Sequence, residues 1–176
     1  MALILKNLNE RTRKEMLSEV EMDIKNGVLY ISERLNIHGK EFYPALLIES
    51  IKNGDDSTLA NALRKGLFNP TYQRKNPKGG FTNAKMPVNA PESLAEGEFN
   101  RFYIRALCKI VIETGEGRLK VYRARLSQHP RPESERKIGY EVDAIQLLND
   151  LRNNVGTETY FGVPNGPMSG LSVELI

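Results

Sequence analysis

Cysteine occurs once in this chain, at Cys108, and histidine only twice, at His38 and His129. A single thiol excludes an internal disulfide framework and fits a reducing compartment. The two histidines are far apart and beside turn residues, so a metal site or a Cys-His dyad with Cys108 would need folding to unite them. Cys108 falls within an apolar helical stretch, where a thiol is usually a small inert core group. Long apolar runs are missing too: none approaches twenty residues, which excludes a membrane-spanning helix. The start, MALILKNLNERTRKEM, turns charged at Lys6 and lacks the core of a secretory signal, so a cytoplasmic location is expected. No metal-ligand cluster, nucleophile motif or phosphate-loop signature occurs, and no cofactor or metal is expected.

The most telling absence is one of acid. From Ser57 to Pro87 there is no Asp or Glu, while Arg64, Lys65, Arg74, Lys75, Lys78 and Lys85 all fall inside. Six uncompensated cations in one stretch point to an anionic partner. A second basic block, residues 118–137, carries Arg118, Lys120, Arg123, Arg125, Arg131, Arg136 and Lys137 against two acids. The flanking segments are mildly acidic, so the net charge of +3 hides a bipolar pattern.

A chain of 176 residues can bury roughly 70% of its unfolded surface without staples. Asn9 caps a first helix whose Met16, Leu17, Val20 and Ile24 keep helical spacing up to Asn26-Gly27. Val28 to Ser32 reads as a short strand, Glu41 to Lys52 as a second helix, and a third begins at Asp55 or Asp56 and stops at Gly66. From Asn69 to Ala90 the chain is too rich in Pro, Gly and Asn for a helix and reads as irregular, with 82–88 a further strand candidate. Pro91 opens the central helix, where Ser93 and Glu96 fit a capping box, and it runs to Thr114 or Gly115. Arg118 to Leu126 reads as a strand, Ser127 to Pro132 as a loop, and Asp143 to Asn153 as a helix. The alternating Leu171, Val173 and Leu175 read as a closing strand. The expected architecture is one α+β domain, with about five helices around a small mixed or antiparallel sheet. Its parts are a helical 1–66, an irregular basic segment 67–92, and 93–176 with the core helix, a strand, a helix and the C-terminal strand.

The central helix reads FNRFYIRALCKIVI from Phe99, apolar nearly all round, as in a helix packed on several sides. Its polar residues Glu98, Arg101, Arg105 and Lys109 form one row at steps of three, four and four. Two readings fit. Glu98 pairs with Arg101 while Arg105 and Lys109 reach solvent, or Arg101 and Arg105 line the floor of an anion site under the basic segment. Phe68, Tyr72 and Phe81 flank Arg74, Lys75 and Lys78, and fit either stacking platforms for bases or anchors of a long loop.

These features favour a non-enzymatic nucleic-acid-binding protein, for DNA or RNA or another anionic partner. Its phosphate contacts would be Arg74, Lys75, Lys78, Lys85, Arg101, Arg105, Arg123 and Arg125, with Tyr72 and Phe81 as stacking rings. A structural or assembly component, forming a homo-oligomer or docking on a protein partner, is the alternative. A metal-dependent nuclease using Glu135 or Glu113 ranks last, because the Glu135-Arg136-Lys137 triplet lies in a proline-flanked stretch rather than on a strand. Three segments, SLAEGEFNRFYIRALC, VYRARLSQHPRPESERKIG and FGVPNGPMSGLSVEL, resemble a family of uncharacterised bacterial and phage-encoded proteins. That resemblance brings no catalytic motif; it implies a phage-associated setting, in which virion components and DNA-handling proteins are common.

Overall fold

Four of the helices begin where a side chain can accept from an otherwise orphaned backbone N–H. The computed structural model describes residues 2–77, 79–126, 130–156, 159–164 and 168–176. Asn9 accepts from Thr12 at the start of α1 (Glu10–Lys25), Asn36 from Gly39 at α2 (Ile37–Asn53), and Asp55 from Thr58 at α3 (Asp56–Leu63). Asp143 does the same at α6 (Ala144–Asn153), accepting from Gln146. α2 starts earlier than its apolar pattern, because Asn36 supplies that cap and Pro44 is accommodated inside the helix.

The long central helix, α4 (Ala90–Thr114), has Pro91 in its first turn and ends at Gly115, whose left-handed φ of 65° suits glycine. Asn89 precedes it without a side-chain cap. The expected Ser93/Glu96 box is not formed: the Glu96 carboxylate instead accepts from Arg125 Nε at 2.7 Å and from the Gly170 N–H at 3.3 Å. Phe99, Phe102, Tyr103, Ile104, Leu107 and Cys108 of α4 are all buried, and α1, α3, α6 and the main sheet pack around it. Burial pushes the Cys108 thiol well above its ordinary range, as an inert core group requires.

The main sheet is antiparallel, in the order β4 (Glu141–Val142), β3 (Leu119–Arg123), β5 (Leu171–Leu175), so the alternating C-terminal residues do close a sheet. A short helix, α5 (Pro132–Lys137), begins at the last residue of the expected Ser127–Pro132 loop, of which 127–129 lie outside the described residues, and runs over residues with no expected element. Val28 to Ser32 forms no strand; the Val28 and Leu29 N–H groups donate to the Asp23 carbonyl. Among the described residues the protein is an α+β domain of six helices and two small antiparallel sheets.

The second sheet corrects the irregular reading of 69–90, although the strand candidate at 82–88 overlaps one of its strands. β1 (Thr71–Lys75) and β2 (Phe81–Lys85) form a hairpin in which Thr71 faces Lys85, Gln73 faces Asn83 and Lys75 faces Phe81. Its turn is closed by the Asn76 N–H donating to Gly80 O at 3.0 Å, with Gly79 and Gly80 at φ of 92° and 81°. Gly and Pro, which argue against a helix here, are also the residues of a hairpin turn.

The N-terminal segment is tied down by a buried acid. Asp56 accepts from the Leu3 N–H at 3.0 Å. Burial pushes its carboxyl up to about 6; the Leu3 bond opposes that rise, while the neighbouring Asp55 and Glu96 charges add to it. Between about pH 4 and pH 6 the folded protein holds a proton that the unfolded chain has released, so this group's contribution to stability falls as pH rises. Asp56→Asn keeps the acceptor and removes the titration. Its stability relative to wild type should grow across that window and level off above it at about 1–3 kcal/mol, read by urea unfolding at several pH values.

Candidate nucleic-acid interface

The basic residues divide into those the protein itself engages and those it leaves outward. On α4, the cationic row meets an acidic row on α1, where Glu15, Glu19 and Asp23 also recur at steps of four. The Arg105 guanidinium is 0% exposed. It donates through Nε to Glu19 at 2.7 Å and through both terminal nitrogens to Asp23 at 2.7 and 2.8 Å. Its carbon also lies 4.8 Å from the Phe102 ring centroid. Arg152 of α6 reaches Glu19 at 2.5 and 3.0 Å, and Lys109 reaches Glu15 at 2.7 Å.

Burial by itself would raise the Glu19 carboxyl, but the bonds from Arg152 and Arg105 more than offset this and hold it below the usual range. For Arg105 burial disfavours the charge, and Asp23 and Glu19 reverse the balance. Three cations therefore meet three acids in one largely buried cluster. Neither expected reading of Arg105 holds: it reaches neither solvent nor an open anion site. A desolvated guanidinium is tolerated there because two carboxylates surround it.

Arg101 is buried as well. It donates to the Leu151 and Asn154 carbonyls at 3.2 and 2.8 Å, capping the negative end of α6, and lies 3.6 Å from Glu98. The pairing of Glu98 with Arg101 is thus present, although burial raises the Glu98 carboxyl.

Within the second basic block, Arg123, Arg125 and Lys137 pin the C-terminal connection, Arg118 pairs with Glu141, and Arg131 and Arg136 stay exposed. Arg123 donates to Ser169 O at 2.9 Å and pairs with Glu135. Arg125 joins Glu96 and donates to Met168 O at 2.7 Å. Lys137 donates to Phe161 O at 2.7 Å, and Asp150 accepts from the Tyr160 and Phe161 N–H groups, each at 2.8 Å. Backbone groups outside helices and strands need other partners, and at Phe161, Met168 and Ser169 long cations and a carboxylate supply them. Glu135, the residue of the nuclease reading, is engaged by Arg123. Among the described residues no group of three or more His, Cys, Asp or Glu gathers in metal-ligating geometry.

The β1–β2 hairpin behaves differently. Arg74, Lys75 and Lys85 are exposed and form no ion pair with any described residue. Tyr72 and Ala84, directly opposite each other, are half-buried, and Arg34 sits over the Tyr72 ring at 4.5 Å. Tyr72 is therefore an anchor at the hairpin base, with one ring face already covered. Phe81 is 69% exposed and keeps its faces open. Phe68 is half-buried against the core and bridges to Leu35, as an anchor would be. Lys78 and His129 lie outside the described residues.

An open groove of about 490 Å³ that the charge blocks did not reveal lies beside Asn9, Glu10, Arg13, Lys14 and Lys52, its charge mixed. Arg13 there donates to the Ile51 and Gly54 carbonyls at 2.6 and 2.9 Å, closing the end of α2. No helix among the described residues is long and apolar enough to cross a membrane. The chain matches no protein-family model, no curated protein and no solved structure. The functional reading therefore rests on the hairpin and its charge alone.

Proposed function

We propose that this is a non-enzymatic nucleic-acid-binding protein that holds backbone phosphates with the cations of the β1–β2 hairpin. The observation that carries the reading is the contrast between the engaged Arg101, Arg105, Arg123 and Arg125 and the exposed Arg74, Lys75 and Lys85, which form no ion pair with any described residue. Desolvating a cation already paired inside a protein gains nothing for a ligand, whereas an exposed cation releases a counterion when a phosphate replaces it. The acid-free sequence around the hairpin supports the same reading, since no neighbouring carboxylate in that segment competes with phosphate. The test is binding of the purified protein to labelled nucleic acids across a salt series. A log affinity that falls linearly with log salt is expected, and absence of binding at low salt overturns the proposal.

A second reading, a structural or assembly component, draws on one specific feature. The hairpin is a two-stranded sheet, so each strand presents an open edge that another chain can extend. That reading requires a defined oligomer, which light scattering on the same sample detects.

A further inference from the structure

We infer that the partner is B-form double-stranded DNA, entered at its major groove by the outward face of the β1–β2 hairpin, with Gln73 and Asn83 meeting base edges. This rests on the phosphate-binding role of the hairpin and specifies what that role serves.

The pairing register sorts the strand residues onto two faces. Tyr72, Arg74, Thr82 and Ala84 share the face on which Arg34 covers Tyr72. Thr71, Gln73, Lys75, Phe81, Asn83 and Lys85 share the other, and all six are exposed. A sheet face with no core beneath it usually carries charges of both signs. This one carries two lysines, two amides, a threonine and a phenylalanine, and no acid.

Their order along the ribbon is informative. Lys85 stands at the base opposite Thr71, the Gln73 and Asn83 amides lie in the middle, and Lys75 stands near the tip opposite Phe81. Four register steps separate the lysines, roughly 14 Å at 3.4 Å per residue. The major groove is about 12 Å wide, with phosphates on both walls and base edges on its floor, and it admits a two-stranded ribbon. Cation, amides and cation along the face thus match phosphate, bases and phosphate across the groove.

The amides carry the chemistry that base edges require. Gln73 Nε2 donates to Asn83 Oδ1 at 3.4 Å across the strands, which leaves the Gln73 oxygen as an acceptor and the Asn83 nitrogen as a donor on two exposed side chains. An acceptor beside a donor is the complement of the adenine edge, the usual target of Asn and Gln. Phe81 beside Lys75 supplies an apolar surface suited to the thymine methyl. A-form RNA offers no equivalent, because its major groove is too deep and narrow for side chains to read.

The experiment compares a labelled DNA duplex and an RNA duplex of the same sequence across a salt series, with wild type and Gln73→Ala/Asn83→Ala. Wild type is expected to prefer the DNA duplex by roughly tenfold or more. The double variant should bring that ratio close to one while keeping the salt slope, since the lysines remain. Both positions are exposed, and far-UV circular dichroism verifies the fold. Equal, salt-sensitive binding of the two duplexes by wild type overturns the groove inference and leaves the phosphate reading standing. A preference unchanged in the double variant also overturns it. Failure to bind either duplex at low salt removes both.

Discussion

Arg105→Leu is expected to lower stability by about 3–5 kcal/mol, because it leaves Glu19 and Asp23 as buried carboxylates without their central cation. That destabilisation does not measure the net value of the ion cluster. Taking charges out of water is itself costly, and a well-packed apolar replacement of all partners is often neutral or stabilising. The triple variant Glu19→Leu/Asp23→Leu/Arg105→Leu should therefore recover a large part of what Arg105→Leu loses, although Arg152 and Lys109 lose their pairing with Glu19 in it. Urea unfolding of both variants decides the matter: a single-variant loss below about 1 kcal/mol would show that water reaches the cluster. Acid provides an independent check. Glu19 has its carboxyl held below the ordinary value, so its contribution is present above the unfolded-state pKa of about 4.3 and is lost as pH falls through the folded value. In Arg105→Leu that lowering weakens, and the variant's acid transition should move to higher pH.

The charge cluster also marks where local sequence signals succeed and where they stop. The row Glu98, Arg101, Arg105 and Lys109 is visible as spacing on an all-round apolar helix, but its burial is not. What decides its role is the matching row Glu15, Glu19 and Asp23 on α1, which runs beside the buried Met16 and Val20. Each row alone looks like a solvated stripe; only docking α1 on α4 makes them complementary, and that is a long-range fact absent from local periodicity. The 118–137 block misleads for a related reason. Arg123, Arg125 and Lys137 serve the Ser169, Met168 and Phe161 carbonyls, and sequence does not reveal which carbonyls lack donors. Local signals fared better, since the cap Asn9, a cap at Asp55 or Asp56, the stop at Thr114 or Gly115 and the alternation of β5 each act within a few residues. The hairpin sits between these cases. Pro77, Gly79 and Gly80 mark a turn, but the flanking TYQRK and FTNAK lack an apolar face, so no alternation betrays strands that have no core to cover.

That missing apolar face is why charge reversal on the hairpin should separate binding from folding. Arg74→Glu/Lys75→Glu/Lys85→Glu replaces three exposed side chains that touch no ion-pair partner among the described residues, so the cooperative unfolding of the body should change little. Affinity for DNA should fall by at least about a hundredfold near physiological salt, because every phosphate left unneutralised keeps its counterion and each new carboxylate repels the backbone. The salt dependence gives the sharper reading. Lys75 and Lys85 lie on the DNA-facing side and Arg74 on the other, so with two fewer phosphates neutralised the slope of log affinity against log salt should become shallower by about 1.8. A control, Arg123→Gln/Arg125→Gln, removes two cations whose terminal nitrogens bind Ser169 and Met168 carbonyls, and it should cost stability while leaving the salt slope of the folded protein intact. If the control flattens the slope and the hairpin variant does not, phosphates are held by the body, and the engaged arginines must exchange their internal partners for DNA. If neither variant changes the slope, the exposed hairpin cations neutralise no phosphate, and the two open strand edges become the feature to pursue with protein partners.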